Sequence, residues 1–139
     1  MLSLTKSSTV VALVVVVAGC MAGPNVRSLA PATSPRGTEA AVIVDVAGEA
    51  VLHTGELVAV RAADFLVLLP PGLARMPFRT VRSASFSDVL GPRQITDGGT
   101  DSERRSLARF SRYPFGLSDA QLSDLLEALG QSELIEVGR

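Results

Sequence analysis

From residue 40 to residue 86 the apolar positions fall into short, β-branched runs separated by turn formers. Ala40–Val46 is the first run, and Ala47-Gly48-Glu49 closes it as a turn. Val51–Arg61 is longer, with Gly55 inside it as the mark of a bulge or sharp bend. Phe65–Leu69 follows and ends at Pro70-Pro71-Gly72; Leu73–Phe78 and Val81–Phe86, parted by Arg79-Thr80, complete the series. Strands this short with tight turns predict one small barrel, which would also dispose of exposed edges. Beyond Phe86 the pattern changes. Gly91-Pro92 and Asp97-Gly98-Gly99-Thr100-Asp101 read as a linker over residues 87–101. Ser102–Arg112 has helical spacing and stops before Pro114. A second helix is marked by the Ser118/Gln121 capping pair, by Leu122, Leu125, Leu126 and Leu129 on one stripe, and by Gly130 as its stop. Leu134–Val137 could return as a strand. The predicted fold is α+β, mainly β: a five-stranded barrel over 39–86 and a helical hairpin over 102–139.

The first residues follow a different rule. Lys6 precedes an apolar run, Thr9–Ala18, and small residues lead to Cys20. About ten apolar residues have the layout of an export signal and fall short of the roughly 20 needed to span a bilayer. Val17-Ala18-Gly19-Cys20 resembles the lipobox of bacterial lipoproteins, with Val17 where that family more often has Leu. The resemblance implies a signal peptide over 1–19, cleavage between Gly19 and Cys20, and a lipid on Cys20. An uncleaved N-terminal helix or an ordinary secretory signal would use the same stretch. Cys20 is the one cysteine in 139 residues, so it has neither a disulfide partner nor companion thiolates for a metal. Each buried lipid methylene contributes about 0.8 kcal/mol, so two or three acyl chains hold firmly where one holds marginally. In the lipoprotein family an Asp after the modified cysteine retains the protein at the inner membrane. Met21 stands there instead, which points to the periplasmic face of the outer membrane in a cell that has one.

Residues 20–38 are rich in Ala, Gly, Pro and Ser and carry no helical or alternating pattern. They read as a tether with a reach of roughly 20 to 25 Å. The chain has 13 Lys and Arg against 14 Asp and Glu, and Lys6 is its one lysine. Near-neutral charge argues against a nucleic-acid partner. Asp119, Asp124 and Glu127 on the second helix argue against groove insertion by a helix-turn-helix.

The succession of strand, Gly48 turn, bent strand with Thr54-Gly55-Glu56-Leu57, apolar strand and Pro77-Phe78-Arg79-Thr80-Val81 corner resembles the Sm-like and SH3-like small barrels. The resemblance covers about a third of the chain. Where Sm proteins place an Asp and an Asn to grip RNA, Arg61 and Phe65 stand here, so no RNA-binding role is carried over.

Candidate chemistry is sparse. His53 is the one histidine, none of the serines sits in a nucleophile elbow, and beyond the signal segment there is no lysine to stand beside one. Glu49 and Glu56 could meet across a hairpin, the starting point for a small envelope enzyme acting on glycan through carboxylates. Asp97, Asp101 and Glu103 match no full calcium loop, and no metal or cofactor is expected. The contact-forming residues gather between the helices, where Phe110, Tyr113 and Phe115 stand among Arg104, Arg105, Arg109 and Arg112. Phe110, Tyr113, Phe115, Arg109 and Arg112 are the candidate surface for an envelope protein partner, a glycan strand or an anionic headgroup. The same aromatics could instead pin the helices to the barrel, with the arginines as the wet face. The expected function is a non-catalytic binding or assembly module, anchored to the membrane through lipid on Cys20.

Overall fold

The computed structural model describes residues 37–88 and 91–138. The signal segment, Gly19, Cys20 and the tether up to residue 36 lie outside the described residues. The elements are β1 (Glu39–Val46), β2 (Glu49–Val60), β3 (Asp64–Leu69), β4 (Gly72–Pro77), a 3₁₀ turn at Phe78–Thr80, β5 (Val81–Asp88), β6 (Gly91–Thr96), α1 (Asp101–Ala108), α2 (Asp119–Ala128) and β7 (Ile135–Glu136). They form an α+β, mainly β structure around one seven-stranded sheet of order β6-β5-β1-β2-β3-β4-β7. Every pairing is antiparallel except β4 with β7. The edge strands β6 and β7 do not pair with each other, so the sheet is open.

The five expected strands are present, and the sheet is widened by β6 and by β7, which lies within the Leu134–Val137 segment read as a returning strand. Gly91–Thr96, expected within a linker, pairs along β5 from Thr96 opposite Ser83 to Gly91 opposite Asp88. Ile95 anchors it in the core, and Pro92 sits on an edge strand, where a missing amide donor is tolerated. The bend expected at Gly55 appears slightly later: the β2–β3 register shifts between Leu57 and Ala59. Gly55 has a different task. A Cβ there would lie 2.2 Å from the Leu68 carbonyl oxygen, so only glycine lets β3 approach so closely.

Two apolar clusters lie on opposite faces of the β2–β4 region. Ala40, Val42 and Val44 of β1 join Leu57, Phe65, Val67, Phe78 and Phe86 in the first, with Leu107 of α1 and Val137 also packed there. Phe65 holds Phe78 at 5.0 Å and Phe86 at 6.0 Å between ring centroids, distances typical of tilted and edge-to-face aromatic pairs. Val58, Ala59, Leu66 and Leu73 make the second cluster under Tyr113 and Leu125. A strand covered on both faces has no polar alternation, which explains why Phe65-Leu66-Val67-Leu68-Leu69 reads as an unbroken apolar run.

The helices divide between these clusters, since Leu107 of α1 packs in the first and Leu125 of α2 in the second. The expected helical hairpin is therefore split: its members serve different sides of the sheet. α2 has the capping box predicted from Ser118 and Gln121. Its C-terminus is closed by Gly130 N–H to Glu127 O and Gln131 N–H to Leu126 O, both 2.9 Å, around Gly130 at φ +68°. Gln131 then extends the sheet with its side chain. Its Oε1 accepts from Leu73 N at 2.6 Å and its Nε2 donates to Leu73 O at 3.2 Å, satisfying the β4 edge just before β7 pairs there.

Candidate functional site

The segment after α1 crosses the bend in β2. Arg112 N donates to Leu57 O at 3.1 Å, and Tyr113 N donates to Val58 O at 2.9 Å. The incoming chain meets the same place: Leu57 N donates to Thr38 O at 2.9 Å, while Thr38 Oγ1 donates to Phe110 O at 2.8 Å. Glu56 and Arg112 lie at the centre of this three-way junction. The guanidinium grips both carboxylate oxygens, with Nε to Oε1 at 2.8 Å and the second bond from Nη2 to Oε2. Gly37 N adds a third donor to Oε1 at 2.7 Å. Side-chain exposure is 3% for Glu56 and 6% for Arg112, so both charges are held out of water and each depends on the other.

The expected contact residues thus separate. Arg112 is internal, and Tyr113 is buried in the second cluster. Phe110 is half-buried, with the Arg93 guanidinium 4.1 Å from its ring centroid. Arg109 and Phe115 remain exposed, Phe115 to 75%. Leu52, at 61%, is the other strongly exposed large apolar side chain among the described residues, and it lies on β2 opposite Ile43, away from the Tyr113 junction.

The remaining arginines of α1 line a cleft. Arg61, Arg104 and Arg105 surround a volume of about 430 Å³ together with Asp101. Arg104 Nε donates to Gly98 O at 3.0 Å, and its guanidinium lies 4.5 Å above the Phe78 ring centroid. Arg61 is held at the end of β2 by Asp64, with Nε to Oδ1 at 2.5 Å. A larger cleft of about 620 Å³ opens between Glu39, Thr54, Pro70, Pro71 and Leu129.

The candidate catalytic groups do not converge. Glu49 pairs with Val46 at the hairpin turn, whereas Glu56 pairs with Glu39 at the far end of β1. At about 3.3 Å per residue the two carboxylates stand more than 20 Å apart along β2. His53 faces Val42 across the β1–β2 ladder, with Nε2 buried and without a hydrogen-bond partner. Glu103 completes the capping box of α1. The Thr100 backbone N–H first, and its hydroxyl second, hold the Glu103 carboxyl below the usual range. Asp45 is likewise lowered, chiefly by its hydrogen bond from Arg82 and then by Gly48 N–H. Among the described residues no group of three His, Cys, Asp or Glu side chains could hold a metal ion. No described helix is long and apolar enough to cross a membrane.

No protein-family model, no curated protein and no solved structure matches this chain.

The Glu56–Arg112 pair is the feature that sequence reasoning missed. Nothing in the spacing joins residues so far apart in the chain, and the arginine lay within a run that reads as solvated. The one local signal was a carboxylate, Glu56, placed between the bend-marking Gly55 and Leu57.

Proposed function

We propose that this chain is a lipid-anchored cell-envelope protein whose folded domain is a non-catalytic binding or assembly module. The observation that carries the reading is the apolar run ending in Val17-Ala18-Gly19-Cys20, with Cys20 the one cysteine in the chain. Ala-, Pro- and Ser-rich sequence separates that cysteine from Gly37, where the described fold begins. The periplasmic face of the outer membrane is the proposed address where the cell has two membranes, because Met21 follows Cys20.

The domain belongs, on this reading, with the SH3-like small barrels. Support comes from the order β5-β1-β2-β3-β4, from the long bulged β2, and from the 3₁₀ turn between β4 and β5. β6, β7 and the helices are additions to that unit. Binding rather than catalysis is favoured because Glu56, the most buried carboxylate among the described residues, is engaged by Arg112 and Gly37.

Metabolic labelling with a radioactive fatty acid in a bacterial host tests the proposal. The wild-type chain incorporates label and sediments with membranes, and Cys20→Ser abolishes the label. A wild-type chain that stays unlabelled would sink the lipoprotein reading.

A further inference from the structure

We infer that the cleft between β2 and α1 is a binding site for a phosphate-type oxyanion, held by Arg61, Arg104 and Arg105. The site belongs to the folded domain and stands whether or not Cys20 carries lipid.

Three arginines are among the residues lining this cleft, against one acidic lining residue, Asp101. Asp64 pairs with Arg61 from outside the lining, and the balance remains positive even when it is counted. A local surplus of cation is unusual in a chain whose acidic and basic residues nearly cancel. Like charges brought together raise each other's energy, and an anion between them relieves that.

The guanidinium groups are also prepared for a ligand. Arg61 is fixed through Nε to Asp64, and Arg104 through Nε to Gly98 O with its plane against Phe78. With Nε tied down, the terminal nitrogens of each guanidinium remain as further donors. For Arg104 the nearest carboxylate oxygen to Nη1 is that of Asp101 at 3.8 Å, beyond hydrogen-bond length. Arg105 is exposed and has no carboxylate partner among the described residues. Two anchored forks and one free arm, supplied by two separate elements, suit a group with three terminal oxygens. A carboxylate is satisfied by a single fork, whereas phosphate can accept from several at once.

Two sources share this chemistry: a free phosphate ester and the headgroup of an anionic phospholipid. Binding is measured by NMR on the full-length chain in non-ionic detergent, following the Arg61 and Arg104 Nε–Hε signals. Inorganic phosphate, a short-chain phosphatidylglycerol, a short-chain phosphatidylcholine and acetate are titrated in parallel. Saturable shifts with inorganic phosphate identify a site for soluble phosphate; shifts with phosphatidylglycerol but not with inorganic phosphate or phosphatidylcholine identify a headgroup site. Both support the inference. Arg105→Gln, at an exposed position, weakens binding about tenfold through loss of charge-assisted hydrogen bonds while the melting temperature holds. Arg79→Gln, an exposed arginine outside the cleft lining, leaves it unchanged. Absence of saturable binding overturns the inference, as does equal affinity for acetate or an Arg105→Gln chain that binds like wild type. These outcomes are independent of lipid on Cys20, so the site and the anchor fail separately.

Discussion

Arg112 and Arg105 stand in the same short arginine-rich segment, but the fold gives them opposite surroundings. Arg112 is shut inside the junction of the incoming chain, β2 and the α1–α2 connection, with both oxygens of Glu56 in its grip. Arg105 lies at the exposed end of α1 beside a cleft that two other arginines line. A buried guanidinium must have a counter-charge, because an unpaired ion out of water costs several kcal/mol. An exposed one keeps its hydration and remains free to meet a ligand. The difference assigns Arg112 to holding the molecule together and Arg105 to what it touches.

Breaking the buried junction has the largest expected effect. Arg112→Ala leaves the Glu56 carboxylate enclosed without its cation, at a cost of about 3–5 kcal/mol. Replacing both members with apolar residues of similar size, as in Glu56→Leu with Arg112→Met, recovers most of that loss. Chemical denaturation measures both; an Arg112→Ala chain as stable as wild type would contradict the assignment. Arg104 lies between the two extremes, since it stacks on a core aromatic and also lines the cleft. Arg104→Ala loses the Gly98 hydrogen bond and the Phe78 contact, about 1–2 kcal/mol together, and weakens anion binding as well.

Acid sharpens the contrast with ordinary surface pairs. The carboxyls of Asp45 and Glu103 have native pKa values lowered by Arg82 and Thr100 respectively. A lowered native value stabilises the fold above the unfolded-state pKa. That contribution fades as the pH falls through the unfolded and then the lowered native value. Stability therefore declines on acidification through the carboxylate range. Asp45→Asn flattens part of that decline, by a small amount because the group is exposed; an unchanged acid profile in a folded Asp45→Asn chain would count against it. The smallest effect on stability belongs to Arg105→Gln, within about 0.5 kcal/mol, as befits a surface substitution without a structural partner.

The strands and helix ends were legible because each has a local cause. β-branched runs broken at Gly48 and Pro70-Pro71 placed β1 to β5 closely, and Ser118 with Gln121 placed the start of α2. β6 was missed because Gly91 and Pro92 resemble a turn when read locally, whereas the unpaired edge of β5 and the burial of Ile95 decide the matter. The expected helical hairpin is split for a related reason. An apolar stripe shows that a helix packs, but not on which side of a sheet, and Leu107 and Leu125 chose opposite sides. The expected contact surface suffered most. Phe110, Tyr113 and Phe115 look alike in sequence, and half-burial against Arg93, burial beneath α2 and open exposure are set by contacts distant in the chain.

The junction and the cleft serve an envelope protein only if the chain is held where the proposal puts it. The mass of the N-terminal peptide from membrane-extracted protein tests this most directly. The expected peptide begins at Cys20 and is heavier than its sequence by a diacylglycerol, with or without a further acyl chain. A peptide beginning at Met1, unacylated and recovered from the soluble fraction, would contradict it.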